Sequence, residues 1–191
     1  MAVKGDETKA RLIEATRRLV EAKGYHGTGL NEILTASGAP RGSLYHHFPG
    51  GKDQLVGEAL SAAGREIDGV VAELSATAAG PAELVAALLD ALAERMVAAD
   101  YTKGCPVATV ALEVAATNDA LQPLCDGIYT GWRRALASAL LADGHDAAEV
   151  DDLATTVLAL IEGSLVLART ARSRTPIEQT GRRITRLLAK R

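Results

Sequence analysis

The sequence contains no apolar run long enough to cross a bilayer. Its richest stretch, residues 157–168, is interrupted by Glu162 and falls short of the roughly 18 continuous apolar residues that a spanning helix needs. The opening MAVKGDETKA lacks the apolar segment of a secretory signal, so a cytoplasmic location is expected, with no membrane partner. Cysteine occurs only at 105 and 125, too few for a disulfide framework. Histidine occurs only four times. There is no Glu-x-x-His pattern, and His46 and His47 are neighbours that point apart on a helix, so neither a metal nor a cofactor is expected. No Gly-x-Ser-x-Gly elbow is present. Gly51-Lys52 does not close a phosphate loop, because His46 stands where that loop needs a glycine and Asp53 where it needs Ser or Thr. An enzyme is therefore not expected, although a helical-bundle enzyme or a protein-binding adaptor remains an alternative. The charged fraction of 24% is ordinary for a globular chain and argues against disorder.

What the chain does have is charge of different sign in different places. Residues 1–55 carry eight basic and six acidic side chains, a net of +2. Residues 56–168 carry five basic and seventeen acidic, a net of −12, and residues 169–191 eight basic and one acidic, a net of +7. A mildly basic head on an acidic body can engage a polyanion through the head while the body is repelled.

Ala, Leu, Glu and Arg dominate, and apolar residues recur at three and four rather than at two, so the expected class is all-α. A first helix is predicted from Asp6 as N-cap to Lys23, with Gly24 as its stop. A short second helix follows, with Thr28 as N-cap and Gly38 as terminator. A third runs from Pro40 to Phe48 and is halted by Pro49-Gly50-Gly51. Further helices are predicted from Lys52 to near Ala78, Pro81 to Ala99, Val107 to Ala115, Asn118 to Gly144, about Asp146 to Ala171, and onward from a capping box at Thr175-Pro176-Ile177-Glu178. Two domains are expected, residues 1–55 and 56–191.

Two short helices joined by a Gly-containing turn and packed on a longer one form a helix-turn-helix, which lays its second short helix in the major groove of double-stranded DNA. At 100° per residue, Leu44 and Phe48 share one side and pack on Ile33 and Leu34, leaving Gly42, Ser43, Tyr45 and His46 outward. Gly42 lets the backbone approach base edges, and Arg41 can reach a guanine or a phosphate. Tyr45, His46 and His47 offer donors to phosphate oxygens. Thr28 and Lys52 lie where helix N-termini attract anions.

On these residues the segment GYHGTGLNEILTASGAPRGSLYHHFPGGKDQL, positions 24–55, resembles the DNA-binding signature of the TetR family of bacterial transcriptional regulators. The chain departs from that signature at Pro40, where many members carry a capping Ser, so no contact is assigned to Pro40. The run Gly104-Cys105-Pro106-Val107-Ala108 followed by Leu112-Glu113 is similar to the lincomycin-resistance (LmrA-like) branch. The resemblance implies a homodimeric repressor that binds a palindromic operator and is released by a small-molecule effector held in the helical body.

Outside the head the aromatics reduce to Tyr101, Tyr129 and Trp132. Leu121, Cys125, Ile128, Trp132 and Leu136 form a helical stripe whose plainer explanation is a bundle core. Met96, Tyr101, Cys105, Glu113, Tyr129 and Trp132 are the candidate effector pocket. Glu113 and Glu162 lie among apolar neighbours and could face a cationic effector, although a carboxylate at a helix rim is the commoner case. Leu158, Ile161, Glu162 and Leu165 are the candidate dimer seam. The basic, amphipathic last helix, with Arg182, Arg183, Arg186 and Lys190, reads as a solvated face.

Overall fold

The structure, a computed structural model, describes residues 2–189, with side chains from residue 5 onward. Among the described residues the chain forms nine α-helices and no strand. They are α1 (Ala2–Lys23), α2 (Leu30–Ser37), α3 (Arg41–His47), α4 (Gly51–Ser75), α5 (Pro81–Ala98), α6 (Pro106–Val114), α7 (Gln122–Ala142), α8 (Val150–Ala171) and α9 (Thr175–Leu187). Among the described residues no helix is long and apolar enough to cross a membrane.

The expected helices are all present, and the differences lie at their starts. Asp6 is inside α1 rather than capping it. Helix α2 is capped by the extended backbone of Gly29, because the Thr28 hydroxyl turns back to donate to the Gly24 carbonyl at 2.7 Å. Two Asx side chains delay their helices for one shared reason. Asn118 Oδ1 accepts from the amides of Ala120 and Leu121, and Asp146 Oδ1 from that of Ala148. Each bond closes a turn that competes with the first helical turn, so α7 begins at Gln122 and α8 at Val150. The capping box predicted at Thr175 does not form. Arg174 is the N-cap residue and Thr175 already helical, while Glu178 pairs with the Arg174 guanidinium at 2.7 Å instead of reaching a backbone amide.

The chain divides into two compact units whose boundaries fall within α4, between α5 and α6, and within α7. The first comprises the residues up to Arg65 together with Cys105–Ile128. In it α1 packs on α2, α3 and α6, around a core of Leu12, Ala15, Ile33, Ala39, Leu44, Phe48 and Leu55. Leu12, Ile33, Leu44, Phe48 and Leu55 are fully sealed from solvent, and such burial contributes about 1.5–3 kcal/mol for each large side chain. The expected packing of Leu44 and Phe48 against Ile33 and Leu34 is present. Leu121 and Cys125 are buried in the same unit, and Leu124 and Ile128 lie against Gly57 and Gly64 of α4. Burial pushes the Cys125 thiol up from its ordinary pKa, which holds it as a thiol.

The second unit comprises Glu66–Gly104 and the residues from Tyr129 onward. Here α9 packs on both α5 and α8. Val85, Leu89, Ala93 and Met96 of α5, the α8 face of Val150, Ala154, Val157, Ile161, Leu165 and Ala168, and Ile177 and Ile184 of α9 are buried. The stripe expected at a subunit seam is thus largely the inner face of α8: Ile161 and Leu165 are 8% and 5% exposed within a single chain, with Leu158 and Glu162 half-buried. The large apolar residues that α8 leaves in solvent are Val166 and Leu167, 51% and 58% exposed.

Candidate nucleic-acid interface

Helix α3 is positioned from both ends. The α2–α3 turn opens with Gly38 in the left-handed region, at φ 62°, a backbone conformation that costs glycine little. Ser37 Oγ then accepts the amide of Ala39, and Pro40 enters extended, at φ −62° and ψ 143°. At the far end the Phe48 amide returns to the Leu44 carbonyl at 2.8 Å. Leu44 and Phe48 anchor the helix in the core, so the opposite face must point outward. Arg41, Gly42, Tyr45 and His46 are exposed there, with Ser43 and His47 half-buried at its flanks. Tyr45 is 49% exposed, and apart from its chain neighbours and its own helix backbone nothing lies within 4 Å of where a Cβ on Gly42 would stand. A short helix with a bare backbone patch, a guanidinium and two ring donors on one open face has the shape and donor set that groove reading requires.

The other two expected DNA ligands have different surroundings. Thr28 is sealed from solvent and its hydroxyl is committed to Gly24, which leaves it no exposed atom for a phosphate. Lys52 is half-buried at the start of α4, with Nζ 4.0 Å from the centroid of the Tyr25 ring. Burial lowers the Lys52 pKa, opposed by the charges of Asp53 and Glu113. A cation lying over an aromatic face is attracted by the ring's quadrupole, so the ammonium is held against Tyr25 at the start of α4 rather than swinging free.

Around that lysine the structure assembles a network that sequence inspection did not find. The Tyr25 hydroxyl donates to Asp53 Oδ1, and Asp53 Oδ2 accepts from the Asn118 side-chain amide at 3.2 Å. The Tyr25 pKa is pushed up to about 12, first by burial and then by the hydrogen bond to Asp53 and its negative charge. These partners are 28 and 65 residues apart in the chain, and no local pattern couples them.

The six candidate pocket residues are divided between the units. Met96, Tyr101, Tyr129 and Trp132 belong to the second. Tyr129 and Trp132 form an edge-to-face pair with centroids 5.7 Å apart, the Trp132 indole donates to Asp68 at 3.1 Å, and the Tyr101 amide donates to the Met96 carbonyl at 2.8 Å. Cys105 and Glu113 belong to the first. Cys105 is the N-cap of α6, its sulfur accepting from the Ala108 amide, and Glu113 reaches the end of α1, where Oε2 accepts the His26 amide at 2.7 Å. No group of His, Cys, Asp and Glu among the described residues could hold a metal ion.

A helix-turn-helix with this outward face defines a DNA-binding transcriptional regulator. The family profile "Bacterial regulatory proteins, tetR family" matches residues 12–59, and "Transcriptional regulator LmrA/YxaF-like, C-terminal domain" matches residues 81–183. The chain is 34% identical over 171 residues to the HTH-type transcriptional regulator LmrA of Bacillus subtilis, covering 90% of this chain and 91% of that one. It is 31% identical over 191 residues to the regulator YxaF of the same organism, covering 100% of both. Among solved structures, a TetR transcriptional regulator from Chloroflexus aurantiacus superimposes with a TM-score of 0.82 at 27% identity, covering 97% of this chain and 96% of that one. The chain belongs to the TetR family of transcriptional regulators, in the group with an LmrA/YxaF-like C-terminal domain. These relatives are regulators and not enzymes.

Proposed function

We propose that this regulator is a repressor, acting in the cytoplasm as a homodimer on a palindromic operator and released when a small molecule binds its helical body. The observation that carries the reading is the open face of α3, where Arg41, Gly42, Tyr45 and His46 stand exposed on a helix anchored by fully buried Leu44 and Phe48. Residues 1–55 read the DNA and the remainder binds the effector and dimerises. One such helix covers only a few base pairs, so an affinity that competes with the rest of a genome needs two on a two-fold axis.

The solvent-facing Val166 and Leu167 of α8, with Leu187 of α9 at 42% exposure, support a dimer seam on those two helices. Large apolar side chains grouped on neighbouring elements mark interaction surfaces. The Tyr129–Trp132 pair and Met96 and Tyr101 supply the apolar and aromatic lining that a small effector requires. An effector that binds best when the two heads are wrongly spaced weakens operator binding by the same factor that the operator weakens effector binding.

The test is gel retardation of duplex DNA flanking the protein's own gene. A sequence-selective shift that weakens steeply with salt is expected, because phosphate contacts release counterions. An enzyme or an adaptor would give no such shift.

A further inference from the structure

Gly24 ends α1 with φ +74°, and its open side is filled. A Cβ at this position would stand 1.9 Å from Glu113 Oε1 and 2.6 Å from Glu113 Cδ. The glycine is therefore required by its dihedral, and a methyl there would in addition have to displace the end of the Glu113 side chain lodged against it. The other oxygen, Oε2, accepts the His26 amide at 2.7 Å.

This is an uncomfortable place for a negative charge, since the C-terminal carbonyls of a helix already carry partial negative charge. Two features offset that cost. One is the charge-assisted hydrogen bond from His26. The other is the Lys52 ammonium, whose protonated form Glu113 favours. Lys23, the last residue of α1, is not the counter-ion, because it pairs with Glu32.

The turn that Glu113 holds is stiff. Thr28 Oγ1 donates to the Gly24 carbonyl, and the Thr28 amide to the Tyr25 carbonyl, so residues 24–28 move as one piece. That piece launches α2 from Gly29, and α2 shares the core with α3. On the other side Tyr25 carries Lys52 on its ring.

Resting on the DNA-binding reading above, we infer that Glu113 is a positioning residue for operator recognition: through Gly24 and His26 it fixes the turn that sets α2, α3 and Lys52 in register for the duplex. It touches no DNA itself. Its effect is on the specific complex, which needs base-reading and phosphate-binding groups held together, and not on loose electrostatic association.

The probe is a duplex selected by the wild-type protein from a random-sequence pool, compared with an unselected duplex. Glu113→Ala should lower affinity for the selected duplex on the order of tenfold, a typical coupling between sites, without lowering affinity for the unselected one. Glu113→Gln keeps an acceptor for the His26 amide and should stay within about threefold of wild type, the scale of one neutral-for-charged hydrogen bond. Gly24→Ala should also weaken selective binding, but less in the Glu113→Ala background, where the methyl finds space. Such non-additivity identifies a direct pair.

Two results overturn the inference: Glu113→Ala binding the selected duplex like wild type, or Glu113→Gln losing as much as Glu113→Ala. If Glu113→Ala fails to melt cooperatively, the Glu113→Gln variant decides alone, and a tenfold loss there refutes the role. If the wild type selects no sequence from the pool, the DNA-binding reading fails instead, so the two failures are distinct.

Discussion

Helices α3 and α8 differ in how plainly their residues declare a direction. Helix α3 has two large apolar residues, Leu44 and Phe48 at its C-terminal boundary, on one side and polar or small residues on the other, so burial of the first side leaves only one way to face outward. Helix α8 instead carries large apolar residues on more than one side of its C-terminal half. Its inner stripe of Val157, Ile161 and Leu165 and its outer pair Val166 and Leu167 differ in solvent exposure but not in chemistry. Periodicity identifies α8 as a helix, yet a helix with two apolar faces gives no rule for choosing which one meets its own fold. A helix with one apolar side reveals its surface, whereas one with large apolar residues on two sides does not reveal which of them its own fold buries.

The comparison can be broken most forcefully on α8. Leu165→Asp places an unpaired carboxylate at a buried position and should destabilise the chain by more than about 4 kcal/mol, enough to unfold its unit. Leu167→Asp, one residue on, should leave a folded chain that sediments as a monomer. A folded monomer from Leu165→Asp, or a persistent dimer from Leu167→Asp, would exchange the two faces.

In the head the next largest effect belongs to Lys52. Lys52→Ala should weaken binding across all duplexes and make the slope of log affinity against log salt shallower by about one. An unchanged slope would make the lysine a support for Tyr25 alone.

Tyr25→Phe keeps the ring under Lys52 and removes the hydroxyl that donates to Asp53. The loss should be about 1 kcal/mol. It also carries a pH signature. The folded chain holds the tyrosine proton up to about 12 against an ordinary value of 10.0. Through that window the unfolded chain therefore binds fewer protons, and stability falls as pH rises. The contribution is complete below pH 10 and absent in Tyr25→Phe, so denaturation midpoints of the two proteins should converge as pH climbs from 10 to 12.

Much of the molecule was legible from one strand of text, and the parts that were not share a cause. Every helix was visible because alanine- and leucine-rich periodicity is local, and the turn of Gly38-Ala39-Pro40 was visible because Gly38 tolerates positive φ and Pro40 fixes its own φ. Helix starts at Thr28, Asn118, Asp146 and Thr175 were misplaced because a short polar side chain serves equally as cap or as turn closer, and only its surroundings decide. Glu113 shows the same limit at a distance. Its apolar neighbours Leu112 and Val114 suggested a pocket carboxylate, whereas its partner is the His26 amide, 87 residues away. The network of Tyr25, Asp53 and Asn118 was invisible for that reason too.

If α3 reads bases from its open face, Arg41 is the side chain whose loss shows it. Affinities of the wild type and Arg41→Ala should be measured against the selected duplex and its full set of single-base variants. Arg41→Ala is expected to lose discrimination at one base pair in each half-site, by about 1–3 kcal/mol, and to keep it elsewhere. A uniform loss across all positions, or none, would contradict base reading by α3.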